Sequence, residues 1–376
     1  MAEIKPFRGY LPPVEMAKKV SSPPYDVLSS IEAREMAQNN SDSFLRIIKP
    51  EIDYSLGDAP SGETLHHHAA ENLNAFIKSG KLCQDENPCF YIYQISMVQH
   101  TQTGIIAAAS VQEYNQDLIK KHELTRPDKE NDRTRHIAIT NANTGPVLLT
   151  FRNDGEFQKH IADIKNQEMD ITFQADDGTV HSLWKITLSG TLESLSHYFE
   201  SIPALYIADG HHRAASASRV QKIRQDNNPR HRGDESYNYF LSVIFPHDEM
   251  QIRGYNRLVK DLAGLSEDQF LELIKTRFML TQLPSLRKPA GRYAFSMYLN
   301  GNWYQLIVKD EFISNDSVTG LDASILQDRL LAPILKIDDT RTNKRIEFVG
   351  GARGLEELER RCSLDAKVAF ALHPVS

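Results

Sequence analysis

A short apolar segment that ends in a glycine and leads directly into an alanine-rich helix places the strongest constraint on how this chain can fold. Residues 202–208, with the sequence IPALYIA, are typical of a buried strand. Asp209 and Gly210 end that strand, and a helix is predicted from His211 to about Gln225. Strands and helices alternate elsewhere along the chain without an internal repeat, so we expect a mixed fold of the α/β or α+β class.

The start of this helix carries the residues of an anion site. Gly210 has no Cβ, so a ligand can approach its backbone, and His211, His212 and Arg213 occupy the first helical turn. The unpaired N–H groups and the positive dipole end of a helix attract phosphate, Arg213 adds a fork of donors, and the histidines add donors or proton-transfer capacity. We therefore predict a phosphate site. The alternative is that Asp209 merely caps the helix and the basic residues form a solvated turn.

Nearly every side chain between Lys120 and His136 is polar or charged, a composition typical of an exposed loop. The segment nevertheless follows two apolar strands, and it mixes carboxylates with cations instead of segregating one sign. Such a mixture can bind a polyphosphate together with Mg²⁺ and can supply a general base. Glu123 is the best-placed base because His122 and Thr125 adjoin it.

Two further segments carry polar residues whose role the sequence leaves open. Pro23 and Pro24 stiffen a loop that presents Tyr25 and Asp26, which could hold a small polar substrate or nucleotide, or could form a structural turn. His66–His68 are consecutive histidines on a predicted helix. They point in directions about 100° apart and cannot share one metal ion, so we expect them on the solvated surface.

Charge and composition exclude several classes of protein. The chain has 43 Lys and Arg residues against 50 Asp and Glu residues, and the net charge of −7 argues against a nucleic-acid partner or a membrane surface. The three cysteines are too few for a disulfide framework, and the apolar stretches are too short to span a bilayer, so we expect a cytoplasmic protein. The glycine-rich signatures of P-loop enzymes and Rossmann dehydrogenases are absent from the sequence, as is the protein-kinase HRD motif. The predicted phosphate site is therefore of a different kind.

A polar segment rich in turn-forming residues separates two regions. Residues 226–236 read DNNPRHRGDES, which is typical of a loop. We predict a nucleotide-binding core of residues 1–235, which carries the motifs described above, and a C-terminal α+β domain or extension of residues 236–376. The sequence does not specify an oligomeric state.

Several short motifs give the chain a family resemblance. They are, in chain order, Pro6-Phe-Arg-Gly9, Pro23-Pro-Tyr-Asp-Val27, His122-Glu-x-Thr125 followed by Lys129 and Asp132-Arg133, Ala208-Asp-Gly-His-His-Arg213, and Leu321-Asp322 at a helix start. In type and order they resemble the family catalogued as domain of unknown function number 1015. The Asp-Gly-His-His-Arg segment is also similar to the nucleotide-binding motif of the group that includes ParB, sulfiredoxin and the free-serine kinases. This resemblance implies a ParB/sulfiredoxin-like core with a mixed sheet, large insertions and a C-terminal α+β extension.

Within that group the Asp-Gly-His-His-Arg form looks most like the free-serine kinases. His211 stands where sulfiredoxin has its reactive cysteine, so sulfiredoxin chemistry would lack its nucleophile. The resemblance implies a phosphotransferase that uses ATP or ADP with Mg²⁺ to phosphorylate a small hydroxyl-bearing metabolite such as free L-serine. The alternative is a regulatory switch that binds CTP or ATP without small-molecule kinase activity. A DNA-associated role is the least favoured, since the chain is acidic.

The resemblance also implies a role for individual residues. Glu123 would be the general base, with His122 beside it. The nucleotide phosphates would be bound by Asp209, Gly210, His211, His212, Arg213, Lys129 and Arg133, with Asp209 positioning the turn or assisting Mg²⁺. The substrate would be bound by Tyr25, Asp26 and Thr125.

Overall fold

The computed structural model describes residues 2–374 and divides them into two compact units, one ending at Met250 and the other beginning at Gln251. This division lies C-terminal to the predicted boundary after Glu235, because the strand Tyr239–Pro246 pairs within the sheet of the first unit. No helix within residues 2–374 is both long enough and apolar enough to cross a membrane.

The first unit is built from strands and helices that alternate along the chain. Its strands are β1 (Ile4–Lys5), β2 (Tyr10–Leu11), β3 (Cys83–Gln84), β4 (Phe90–Met97), β5 (His100–Ser110), β6 (Ile119–Lys120), β7 (Val147–Phe151), β8 (Ile171–Gln174), β9 (Val180–Ile186), β10 (Leu205–Asp209) and β11 (Tyr239–Pro246). Its helices are α1 (Ala17–Val20), α2 (Ser30–Ala37), α3 (Leu45–Ile48), α4 (Glu63–Lys78), α5 (Val111–Asn115), α6 (Pro127–Thr140), α7 (Glu156–Lys165), α8 (Ser189–Ser201) and α9 (His211–Asp226).

Most of these strands form one mixed sheet in the order β6-β10-β7-β11-β5-β4-β9-β8, with β1 paired to β5. The pairs β6–β10 and β7–β11 are parallel, and the other neighbours are antiparallel. The mixed α/β fold expected from the sequence is thereby confirmed. Side chains alternate between the two faces of the sheet, so Ile92 and Ile105 lie in the main apolar core with residues of α7 and α8, whereas Tyr93 and Ile106 face a cavity.

The second unit contains a separate six-stranded sheet, counted over the described residues, in the order β13-β15-β14-β17-β12-β16. Its strands are β12 (Tyr255–Val259), β13 (Phe278–Leu283), β14 (Ala294–Leu299), β15 (Asn302–Val308), β16 (Ile346–Gly350) and β17 (Val368–Leu372), and its helices are α10 (Glu267–Lys275), α11 (Asp322–Leu326) and α12 (Glu356–Leu364). Every pairing in this sheet is antiparallel, and the apolar cluster beneath it is distinct from that of the first unit. The unit is therefore an α+β structure with its own core.

Candidate functional site

The parallel pairing of β6 and β10 places the two main sequence motifs side by side. Leu205 is paired with Ile119 and Tyr206 with Lys120. Because parallel strands leave a sheet at the same edge, the loop after β6 and the start of α9 after β10 meet at that edge. The loop of residues 121–126 therefore lies against His211 and His212.

Gly210 makes the sharp turn from β10 into α9. Its φ of 92° and ψ of 29° lie in the left-handed region, and a Cβ at this position would be 3.1 Å from both Cζ and Nε of Arg213. Both facts favour glycine. Gly210 is also the N-cap residue of α9, and no side chain caps this helix start. The alternative in which Asp209 caps the helix is wrong, because its carboxylate is engaged with Arg213 instead.

The Arg213 guanidinium is buried and held by oxygen acceptors from three segments. Nη2 donates to Oδ2 of Asp209 at 2.6 Å and lies 3.4 Å from Oδ2 of Asp26, while Nη1 donates to the carbonyl of Pro146. The side chain is only 10% exposed. Its Nε is buried and has no partner among the residues that the structure describes. An unsatisfied buried donor of this kind is costly, and an anionic ligand would satisfy it.

His211 and His212 fix the loop of residues 121–126 to the helix start. Nε2 of His211 accepts a hydrogen bond from the backbone N–H of His122 at 3.4 Å, and Nε2 of His212 accepts one from Arg126 N–H at 3.0 Å. A neutral imidazole that accepts at Nε2 carries its proton on Nδ1. The His211 Nδ1–H therefore faces Glu123, whose Oε2 is 3.7 Å away.

The environment keeps both imidazoles neutral. Burial, and then the neighbouring His122 and His212, lower the pKa of His211 from 6.5 to about 4. Burial also lowers the pKa of His212, although the nearby carboxylates of Glu123 and Asp26 oppose that shift. The positive character of the helix start at neutral pH therefore comes from Arg213 and the backbone N–H groups.

Glu123 is accessible, with 60% of its side chain exposed, and the His122 ring lies edge-on to the His211 ring with centroids 4.3 Å apart. One donor atom each from His122, Glu123 and His211 lies within 4.8 Å of the others. Two imidazoles and a carboxylate are ligands that suit zinc and related ions, and they also suit proton transfer. Part of this cluster is visible in the sequence, since His122 and Glu123 adjoin each other, but the contribution of His211 depends on the pairing of β6 with β10.

The charged run after β6 is mostly helix, so its interpretation as an exposed loop is wrong for residues 127–136, which lie in α6. Pro127 occupies the first turn and Asp128 and Glu130 follow it, which are favourable residues at a helix start. Lys129 is exposed in the same turn. The Thr125 hydroxyl donates to Oε2 of Glu130 at 2.5 Å, so it supports the helix start.

Arg133 and Tyr25 form a stacked pair next to Arg213. The Arg133 guanidinium donates from Nε and Nη2 to Oδ2 of Asp132 at 3.0 and 2.7 Å and lies over the Tyr25 ring, 4.3 Å from its centroid. Burial, and then the charge of Asp26, raise the pKa of Tyr25 to about 12, so its hydroxyl stays protonated. These contacts bring the Pro-Pro-Tyr-Asp loop, α6 and the start of α9 together.

A cavity of about 810 Å³ in the first unit connects these residues. Tyr25, Arg133 and Arg213 contribute to its wall, as does the turn Asn143–Pro146, which the sequence did not single out as a site. The sheet face contributes Tyr93, Ile95, Ile106, His181, Leu183 and Val243. Three of the predicted site residues line this cavity, namely Tyr25, Arg133 and Arg213. The others are not among the lining residues: Asp26, His122, Glu123, Thr125, Lys129, Asp209, Gly210, His211 and His212.

His66 corrects a second expectation from the sequence. It is buried, 4% exposed, and its Nε2 lies 3.4 Å from Oδ1 of Asp132, so the solvated position predicted for it is wrong. The physical reason is that His66 lies on the buried stripe of α4 with Ala69, Leu73 and Phe76, and that α6 packs against this helix. Burial would raise the pKa of Asp132, but hydrogen bonds and charge from His66 and Arg133 hold it well below its usual range. Asp132 therefore stays ionised and orients Arg133.

The fold and the site define a mixed α/β protein in which the helix start that carries Arg213 lies beside a large cavity. Over residues 4–324 the chain matches the family described as "Protein of unknown function (DUF1015)", and it belongs to that family. The match begins at β1 and extends to α11, which starts with Asp322. Neither a curated protein nor a solved structure matched the chain.

Proposed function

We propose that this protein is a cytoplasmic phosphotransferase that moves a phosphoryl group from ATP or ADP, with Mg²⁺, to the hydroxyl of a small metabolite, with free L-serine as the first acceptor to test. The observation that carries the proposal is the buried, unpartnered Nε of Arg213 at a helix start that faces both a large cavity and an accessible carboxylate. A phosphate group satisfies the Nε donor, the helix N–H groups and the positive charge together.

The likeness of the Asp209–Arg213 segment to the ParB, sulfiredoxin and free-serine kinase motif supports the same proposal, and we include a ParB/sulfiredoxin-like core in it. In this arrangement Arg213 and the backbone at Gly210 bind phosphate oxygens, and Arg133 and Lys129 add positive charge. Positive charge around a transferring phosphoryl group stabilises the charge that develops on it.

The carboxylates of Asp26 and Asp209 fit Mg²⁺. They are hard oxygen donors, and both approach the same nitrogen of Arg213, at 3.4 and 2.6 Å. When bound there with nucleotide phosphates, Mg²⁺ would neutralise phosphate charge. Phosphate oxygens of the ligand would then accept the hydrogen bonds that Arg213 now donates to the two carboxylates.

Glu123 is the proposed general base, because its accessible carboxylate can take the proton of an acceptor hydroxyl. The Nδ1–H of His211 faces this carboxylate and orients it, which makes His211 a positioning residue. A general base of this kind contributes about 10² to 10⁴-fold in rate. Tyr25 and Asp26 remain the candidates for holding the acceptor.

Thermal unfolding with ATP, ADP, CTP, GTP and AMP, each with and without Mg²⁺, tests nucleotide binding. A ligand at 100 times its Kd stabilises the folded state by about 2.7 kcal/mol. We expect a nucleotide-dependent rise in Tm that Arg213→Ala abolishes. Arg224→Ala is the matched control, because Arg224 lies on the same helix three turns further on and contacts the carbonyl of Ala138. No shift with any nucleotide would contradict the proposal.

Transfer is then measured by ³¹P NMR with L-serine and other hydroxyl compounds as acceptors. Glu123→Gln should keep nucleotide binding and lose turnover by 10² to 10⁴-fold. Turnover that survives Glu123→Gln would remove the role assigned to this residue. Nucleotide binding without transfer to any acceptor would favour the regulatory switch.

A further inference from the structure

The cavity extends far beyond the space that a phosphate group or a serine needs. Arg213 bonds to the carbonyl of Pro146, directly before β7, whereas His181 lies on β9. Strands β7, β11, β5, β4 and β9 are consecutive neighbours in the sheet. Four strand spacings of about 4.8 Å separate β7 from β9, so the two ends of the cavity wall are about 19 Å apart. That length suits an extended nucleoside triphosphate.

The end of the cavity remote from Arg213 carries a stack of flat rings. His181 lies parallel to Phe173, with ring centroids 5.0 Å apart and an interplanar angle of 19°. It is also roughly parallel to Tyr93, at 6.0 Å and 16°. All three side chains line the cavity. Flat, apolar faces of this kind bind nucleic-acid bases by stacking.

A directional donor accompanies the rings. The Tyr93 hydroxyl and Nδ1 of His181 are 2.6 Å apart. When the protonated phenol donates to Nδ1, the imidazole proton lies on Nε2, and within residues 2–374 no hydrogen-bond partner is found for that nitrogen. A ring nitrogen of a base is an acceptor that matches it.

We propose that this ring-lined end, formed by Tyr93, Phe173 and His181, binds the base of the nucleotide while Arg213 binds the phosphates at the other end. The inference rests on the proposed function, since it assigns the nucleoside part of the same ligand. A base site would make the affinity for nucleoside phosphates higher than the affinity for inorganic polyphosphates. The mostly apolar sheet face between the two ends would cover the ribose.

Isothermal titration of the full chain with ATP and with inorganic tripolyphosphate, both with Mg²⁺, tests this assignment. Tripolyphosphate has the three phosphates of ATP without its ribose and base, and the ring variants then separate the contribution of the base. We expect ATP to bind at least about 10-fold more tightly, because a stacked base contributes substantially to affinity. Phe173→Leu and His181→Gln should each weaken ATP binding about 10-fold and leave tripolyphosphate binding within about twofold.

Phe348→Leu is the matched control, since Phe348 is a stacked, partly exposed ring in the second unit, 5.3 Å from Tyr255. It should change neither affinity. Two results would overturn the base site and leave the phosphate site in place. One is equal affinity of the native protein for ATP and tripolyphosphate. The other is a pair of ring variants that weaken the binding of neither ligand, or that weaken the binding of both ligands. Binding of neither ligand would instead contradict the proposed function. Unchanged tripolyphosphate binding also shows that each variant is folded.

Discussion

Acid should destabilise the first unit through one buried histidine, His136, and the variant His136→Gln should remove that contribution. His136 lies on α6, is 1% exposed, and its Nε2 is 3.0 Å from the carbonyl of Ile47. Burial, and then the charge of Arg133, lower its pKa from 6.5 to about 3. A glutamine amide can donate the same hydrogen bond without a charge that depends on pH.

The size of the effect follows from the two pKa values. The unfolded chain takes up a proton on this imidazole below pH 6.5, while the folded protein does so only near pH 3, so stability is complete above pH 6.5 and is lost as the pH falls. Each pH unit between those limits costs about 1.4 kcal/mol. At pH 4.5 the loss from His136 alone is therefore about 2.7 kcal/mol.

Urea unfolding followed by tryptophan fluorescence measures this loss. The chain has two tryptophans, Trp184 in the first unit and Trp303 in the second, so a Trp303→Phe background reports the first unit alone. Between pH 7 and pH 4.5, His136→Gln should lose about 2.7 kcal/mol less stability than its parent. His67→Gln is the control, because His67 is exposed on α4. If both variants lose the same stability, the neutral buried state inferred for His136 is wrong.

Three further substitutions test the geometry beside the cavity. Gly210→Ala should cost about 1 to 3 kcal/mol of stability, because the φ of 92° strains any residue with a side chain. It should also weaken ATP binding, because the new Cβ would lie 3.1 Å from Arg213. An unchanged Tm would refute the backbone strain. Tyr25→Phe should leave ATP affinity within about twofold, whereas Tyr25→Leu should weaken it several-fold, because the ring and not the hydroxyl contacts Arg133. Asp132→Asn should lower the free energy of unfolding, measured with urea, by about 2 kcal/mol, because Arg133 loses a charged acceptor. An unchanged free energy of unfolding would mean that Asp132 does not hold the Arg133 guanidinium in solution.

The local parts of the fold were predictable because neighbouring residues determine them. The strand, glycine turn and helix around Gly210 appear as β10 and α9, and helix α9 spans His211–Asp226 against a predicted end near Gln225. Helix α2 likewise begins with a capping box between Ser29 and Glu32, a spacing that can be recognised in the sequence alone. Such signals depend on spacing along a few residues, which a single sequence contains.

The parts that were not predictable depend on contacts between distant segments. The run after Lys120 is polar enough to be typical of a loop, yet α4 and α9 both pack against it and stabilise it as α6. The same packing buries His66. The wall of the cavity combines the N-terminal loop at Tyr25, the sheet face and Arg213. No pattern within a short stretch of sequence indicates that these three parts of the chain meet.

The general base proposed at Glu123 lies on a loop that buries little apolar surface. Strand β6 contains two residues at the edge of the sheet, and the loop that follows it has its only large apolar side chain, Leu124, 70% exposed. Segments with few buried apolar contacts open at a small fraction of the free energy of global unfolding. Opening of this loop would break the hydrogen bonds from His122 and Arg126 N–H to His211 and His212 and leave the pairing of β10 with β7 intact, and the proposed phosphotransferase could release its product in that way. In the proposed enzyme, the frequency of that opening would set an upper limit on turnover.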